Sequence, residues 1–138
     1  MTSPPPPRVV PDGDAPLVLI VDDNAQNLKL ARDVLRAGGF RTIEAASGAE
    51  GIELAIEHVP HVVLMDLRLP DMDGTEAARK LGEGIPTAHI PVVALSSSRL
   101  EGVGDWLLGA GFAGYLEKPI RVAEFPEQVR RYCEGAVA

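Results

Sequence analysis

Residues 17–23 read LVLIVDD, an apolar run of five residues followed at once by two aspartates. Three other short runs are almost wholly apolar: HVVLM at 61–65, PVVAL at 91–95 and AGYL at 113–116. A fifth and more polar run covers 40–44. Short runs that are apolar throughout are typical of strands buried on both faces of a parallel sheet. The sequence therefore predicts five strands, most of them deeply buried.

Helical segments alternate with these strands. Leu28, Ala31 and Leu35 recur at helical spacing and predict a helix over 25–37. Further helices are predicted over 49–57, 74–81 and 100–110, and over a last segment that ends near Cys133. This alternation predicts an α/β fold, a doubly wound five-stranded parallel sheet with right-handed crossovers.

Composition narrows the class of protein. The chain has 138 residues, a net charge of −7 and a hydrophobic fraction of 46%, and only six of its residues are aromatic. A domain of this length can bury a core built mainly from Val, Leu, Ile and Ala. The acid excess argues against direct DNA binding, because phosphate backbones are held by clustered Lys and Arg. No apolar run approaches the roughly 18 residues of a membrane span. The lone Cys133 cannot form an internal disulfide, so we expect a cytoplasmic protein without membrane attachment.

Proline marks the N-terminal limit of the domain. Residues 1–16 hold six of the twelve prolines, four of them consecutive, which predicts an extended or disordered tail. A single domain is expected over 17–134, followed by a short C-terminal tail over 135–138.

Chemically active side chains follow the predicted strands. Asp22 and Asp23 come after the first strand, Asp66 after the third, Ser96 after the fourth, and Lys118 stands just beyond the fifth. Parallel strands end at one edge of the sheet, so these side chains should share one site. Three neighbouring carboxylates repel each other unless a proton or a cation intervenes. An open edge with oxygen ligands suits Mg²⁺, and Mg²⁺ with Lys118 and Ser96 suits phosphoryl chemistry.

Each of these residues also has an ordinary explanation. The aspartate pair at 22–23 can cap the helix that follows it, and taken alone this is the more frequent role of such a pair. Asp66 can be a turn residue and Lys118 a surface lysine. Capping does not explain why all of them follow strands of one sheet, so the joint placement favours a site.

Four blocks of sequence resemble a known family. They are DD at 22–23, MDLRLPDMDG at 65–74, ALSS at 94–97 and YLEKPI at 115–120. These blocks and their spacing are similar to the signature of the receiver domain of two-component response regulators, and the resemblance covers 17–134. It implies a flavodoxin-like, CheY-like sheet of order 2-1-3-4-5 and a single-domain response regulator, a signalling protein rather than an enzyme.

The resemblance also implies roles for individual residues. Asp66 would be phosphorylated by a histidine kinase or a histidine phosphotransfer protein. Asp23 and Asp66 would bind Mg²⁺ directly, Asp22 would bind it through water, and the backbone carbonyl of Arg68 would complete the protein ligands. Lys118, preceding a cis proline, would pair with the phosphoryl group.

A switch and a partner surface complete what the resemblance implies. Ser96, which would also contact the phosphoryl group, and Tyr115 would form the switch pair. The downstream partner would bind the face formed by the helix predicted over 100–110, the fifth strand and the last helix. We expect Trp106 to be partly exposed there as an anchor, with a core-filling role as the alternative. The sequence leaves open whether the chain forms a homodimer.

Two rival functions remain. Residues 71–75 read DMDGT, which matches the motif that opens haloacid-dehalogenase-type phosphatases. In that case Asp71 would be the nucleophile and should directly follow a buried strand, but five residues (66–70) separate it from the predicted strand. Asp73 is expected to cap the third helix. A structural adaptor that needs no phosphorylation is the other rival, and the full set of acidic and basic site residues argues against it.

Overall fold

The computed structural model describes residues 15–96, 107 and 109–134. Five strands form one sheet: β1 (Leu17–Val21), β2 (Arg41–Ala45), β3 (Val62–Asp66), β4 (Val92–Ser96) and β5 (Gly114–Glu117). All neighbouring pairs are parallel and the strand order is β2-β1-β3-β4-β5, which confirms the predicted fold. Residues 1–14 of the N-terminal tail, the C-terminal tail, Trp106 and most of the helix predicted over 100–110 lie outside the described residues.

Four helices are described: α1 (Ala25–Ala37), α2 (Gly48–His58), α3 (Gly74–Glu83) and α4 (Phe125–Cys133). Helix α1 has the predicted bounds, and its N-cap is Asn24, whose side chain accepts a hydrogen bond from the N–H of Asn27. The capping role considered for the 22–23 pair therefore belongs to the residue after it. Among the described residues, no helix has the length and apolar character needed to cross a membrane.

Every strand after β1 begins and ends one residue later than the apolar runs predict. The register explains the difference. Asp66 still pairs with Leu95, and the N–H of Leu67 donates to the carbonyl of Leu95 at 3.2 Å. Ser96 likewise accepts at its carbonyl from the N–H of Lys118 at 2.8 Å. Hydrogen bonding continues past the last apolar residue, so Asp66 and Ser96 are the final residues of their strands rather than the first residues after them.

The core lies on both faces of the sheet. One layer packs the sheet against α2 and α3, and the other packs it against α1 and α4. Aliphatic strand residues dominate both layers, as predicted, and they are joined by four buried aromatic rings: Phe40, Phe112, Phe125 and Tyr132. Phe125 is fully buried at the start of α4, and burial of a side chain of this size stabilises a fold by about 1.5–3 kcal/mol. This packing fixes the sheet edge at which the polar residues meet.

Candidate functional site

Three aspartates converge at the carboxyl ends of β1 and β3. Asp22, Asp23 and Asp66 each place one carboxylate oxygen within 4.8 Å of the others. Asp22 is buried, Asp66 is partly buried and Asp23 is exposed. The predicted gathering of these side chains is therefore observed, with one face of the cluster open to solvent.

Lys118 bridges two of the three carboxylates. Its Nζ lies 2.7 Å from Oδ2 of Asp22 and 3.1 Å from Oδ2 of Asp66. The side chain of Lys118 is only 13% exposed, and the peptide bond to Pro119 is cis, as predicted. Burial lowers the pKa of the ammonium, but the hydrogen bond to Asp22 and the charges of Asp66 and Asp22 outweigh burial, so the pKa lies above its usual value. Lys118 stays charged at neutral pH.

The carboxyl group of Asp66 has opposing influences. Burial raises its pKa above the usual value, and the charge of Asp22 acts in the same direction. The N–H of Arg68, which donates to Oδ1 at 3.1 Å, and the ammonium of Lys118 oppose this rise. These two donors stabilise the ionised carboxylate that burial disfavours.

Asp22 is held in place by the start of α1. Its Oδ1 accepts a hydrogen bond from the N–H of Asn24 at 2.9 Å, and its Oδ2 accepts from Nδ2 of Asn27 at 3.3 Å. Asn27 had no role in the sequence-based prediction. The signal was available: it stands in the first turn of the helix after the aspartate pair, where it can reach back to the end of the strand.

Ser96 and Tyr115 lie on adjacent strands. Ser96 is buried at the end of β4, next to β3 and its Asp66. Tyr115 lies in β5 opposite Ala94 and is 37% exposed. Ser96 is thus buried on the strand next to Asp66, and Tyr115 is partly exposed on the following strand.

Asp71 binds the start of α2 and does not belong to the acidic cluster of the described residues. Its Oδ1 and Oδ2 accept hydrogen bonds from the N–H groups of Gly48 and Ala49 at 2.8 and 2.9 Å, in the first turn of α2. These bonds lower the pKa of the Asp71 carboxyl. Asp71 thus serves as an acceptor for main-chain groups at a helix start, and it is absent from the cluster formed by the described acidic residues. The geometry disfavours the phosphatase alternative.

Asp73 is the N-cap residue of α3, as predicted, although its side chain makes no capping hydrogen bond. The segment before α3 is instead arranged by Gly74. A Cβ on Gly74 would clash with the carbonyl oxygen of Asp66 and would stand 2.9 Å from Cα of Leu67. The start of α3 therefore packs directly on the end of β3, where no side chain fits between them.

Fold and site together define a class of signalling domain. The sequence model of the response regulator receiver domain matches residues 18–130, and the chain belongs to this family. Among curated proteins, the polar-differentiation response regulators DivK of Brucella ovis and Brucella anthropi are 39% and 38% identical to it over 119 residues. Each alignment covers 86% of this chain and 97% of the relative. The chain is therefore a DivK-like receiver domain.

Solved structures agree with this assignment. The receiver domain of the sensor histidine kinase PA1611 from Pseudomonas aeruginosa PAO1, which has a magnesium ion coordinated in its active-site cleft, is 31% identical with a TM-score of 0.79. The match covers 87% of this chain and 98% of that one. Chemotaxis protein CheY4 of Vibrio cholerae, at 22% identity, has a TM-score of 0.80 over 86% of this chain and 98% of its own, and so shares the fold.

Proposed function

We propose that this receiver domain accepts a phosphoryl group on Asp66 from the phosphohistidine of a histidine kinase or a histidine phosphotransfer protein. The position of Asp66 carries the proposal. It ends β3 with its carboxylate 3.1 Å from the Lys118 ammonium, in a cluster with Asp22 and Asp23 that is open on one side. A donor can approach this carboxylate while its charge is compensated.

The transfer forms one bond and breaks one. A carboxylate oxygen of Asp66 bonds to phosphorus as the bond from phosphorus to the donor imidazole breaks, and the electron pair of that bond stays on the imidazole nitrogen. The product is an acyl phosphate on Asp66. Lys118 already donates hydrogen bonds at this position and pairs with the phosphoryl oxygens. The hydroxyl of Ser96 contributes a further hydrogen bond.

The residues present fit Mg²⁺. Carboxylate oxygens are the ligands that this cation prefers, and three of them lie within 4.8 Å of one another. We assign Asp23 and Asp66 as direct ligands, together with the backbone carbonyl of Arg68. Asp22 is the one fully buried carboxylate of the three, which favours a contact through water for Asp22. When bound, Mg²⁺ supplies positive charge for the phosphoryl oxygens.

The output of the switch is a change of surface. Phosphorylation adds about −1.5 to −2 units of charge, and the charge-assisted hydrogen bonds that then form can reposition a loop. The hydroxyl of Ser96 moves onto the phosphoryl group, and the exposed ring of Tyr115 turns inward to fill the space that Ser96 leaves. The face that includes β5 and α4 then binds a downstream protein in the cytoplasm without contacting DNA.

Intact-mass measurement with a small phosphodonor tests the proposal. The wild type should gain one phosphoryl group in Mg²⁺ and none in EDTA, whereas Asp66→Asn should gain none in either. Asp33→Asn is the matched control, because Asp33 is an exposed aspartate of α1 outside the cluster, and it should label like the wild type. Equal labelling of Asp66→Asn, or labelling that ignores Mg²⁺, would refute the proposal.

A further inference from the structure

The first turn of α2 depends on a carboxylate from another part of the chain. The N–H groups of Gly48 and Ala49 belong to the first turn of α2 and both donate to Asp71, which lies 23 and 22 residues further along the sequence. The next N–H group, that of Glu50, donates to the hydroxyl of Ser47 at 3.2 Å. The start of a helix leaves such groups unpaired unless an acceptor is supplied. Asp71 supplies the acceptors that α2 itself lacks.

A second contact joins the same two segments. A Cβ on Gly48 would stand 2.6 Å from Cγ and 2.7 Å from Sδ of Met72. Met72 therefore lies directly on the first residue of α2, and it also packs against the core layer on that side of the sheet. The loop between β3 and α3 is thus docked on α2 by two consecutive residues, one polar and one apolar.

This loop carries the main-chain group assigned to the metal. Arg68 and Asp73 form an isolated antiparallel bridge, so the loop is a closed hairpin with Asp71 near its tip. At the base of the hairpin, the N–H of Arg68 donates to Asp66. Displacement at the tip is therefore transmitted to the carbonyl of Arg68 through a short, bridged segment.

The geometry points to Asp71 as a positioning residue for the phosphorylation site. This inference rests on the proposed function: by anchoring the loop to α2, Asp71 holds the Arg68 carbonyl in place for Mg²⁺. The coupling is reciprocal, because two events that favour the same loop conformation favour each other. Binding of Mg²⁺ therefore stabilises the first turn of α2.

The Mg²⁺ dependence of the labelling rate tests this role. Asp71→Ala removes both acceptors and should raise the Mg²⁺ concentration for half-maximal rate roughly tenfold, the lower end of the range for residues that orient metal ligands. Asp71→Asn keeps one acceptor oxygen and should have a smaller effect in the same direction. The maximal rate at saturating Mg²⁺ should stay close to that of the wild type. Asp33→Ala is the control and should change neither quantity.

Hydrogen exchange of the wild type provides a measurement that needs no variant. Addition of Mg²⁺ should slow exchange at the amides of Gly48 and Ala49, and no slowing would overturn the inference. The inference would also be overturned if Asp71→Ala kept the Mg²⁺ dependence of the wild type. A fall of the maximal rate of Asp71→Ala at saturating Mg²⁺ would overturn it too, because it would indicate a general structural defect. If the wild type neither labels nor responds to Mg²⁺, the proposed function itself fails, and this outcome is distinct from the others.

Discussion

The hydroxyl of Tyr132 lies against Gly114, in the space that a Cβ at position 114 would occupy. Tyr132 is buried in α4, and Gly114 begins β5, the edge strand that also carries Tyr115. Burial raises the pKa of the Tyr132 phenol, and the charge of Tyr115 adds to the rise, so the ring packs there in its neutral form. The absence of a side chain at position 114 is what lets α4 approach the edge of the sheet.

Gly114→Ala should therefore destabilise the domain. Overpacking of this kind lowers the free energy of unfolding by about 1–3 kcal/mol, measured by urea denaturation. Adding Tyr132→Phe removes the nearest clashing atom and should recover part of the loss, which a double-mutant cycle quantifies. In contrast, Gly82→Ala in α3 meets open space and should stabilise by about 0.5–1 kcal/mol. An unchanged stability of Gly114→Ala would show that Tyr132 moves aside freely.

Lys118→Met should destabilise the Mg²⁺-free protein. Removal of the ammonium leaves Asp22 and Asp66 facing each other, and we expect a loss of about 1–3 kcal/mol, less than for a fully buried ion pair because the site is partly open. Saturating Mg²⁺ should reduce the loss by supplying positive charge. Because the pKa of Lys118 lies above 10.5, its contribution is present below that pH and should vanish as pH rises further.

Lys80→Met is the matched control for this prediction. Lys80 contacts Glu76 at 3.5 Å on an exposed face of α3, where such a pair contributes little. Its unfolding free energy should stay within about 0.5 kcal/mol of the wild type. If both variants lose the same amount, then the bridge to the aspartates has no special energetic role.

Much of the fold and of the acidic site could be predicted from sequence. Apolar runs report burial directly, and the edge rule for parallel sheets then brings Asp22, Asp23 and Asp66 together. Strand ends were misplaced by one residue because apolar character marks burial, whereas strands are defined by hydrogen bonds. Asp66 is polar and still belongs to the β3–β4 ladder.

Contacts between distant segments could not be predicted in this way. The DMDGT motif matched a phosphatase motif, and only the structure shows that Asp71 binds the start of α2, 22 and 23 residues away in sequence. The pairing of Gly114 with Tyr132 was also missed. Both depend on how closely two packed elements approach, and periodicity within one element carries no information on that distance. From sequence alone, a glycine required by close packing cannot be told from one that provides flexibility, because the neighbouring element is not known.

Val59→Gly should stabilise the domain. Val59 is the C-cap of α2, with φ of 45° and ψ of 66°, in the left-handed region that strains a β-branched residue. Glycine adopts this conformation without that strain, so the free energy of unfolding should rise by about 1 kcal/mol in urea denaturation. Val122→Gly is the control: Val122 is exposed and has no positive φ, so it should lose stability. If both variants lost the same free energy of unfolding, the backbone of Val59 would not be strained.

Cys133 should react slowly with alkylating reagents in the native protein. It is the chain's single cysteine, half-buried at the end of α4, and burial raises the pKa of its thiol from 9.0 to about 11. The reactive thiolate at pH 8 is then roughly a hundredfold scarcer than for an unperturbed thiol.

Iodoacetamide should accordingly label native protein about two orders of magnitude more slowly than urea-unfolded chain. The native rate should keep rising with pH toward 11, whereas the unfolded rate levels off near 9. Since the fold favours the neutral thiol, the contribution of Cys133 to stability is present below pH 9 and is lost as pH rises through about 11. Equal labelling rates for native and unfolded chain at pH 8 would mean that α4 leaves the thiol open to solvent.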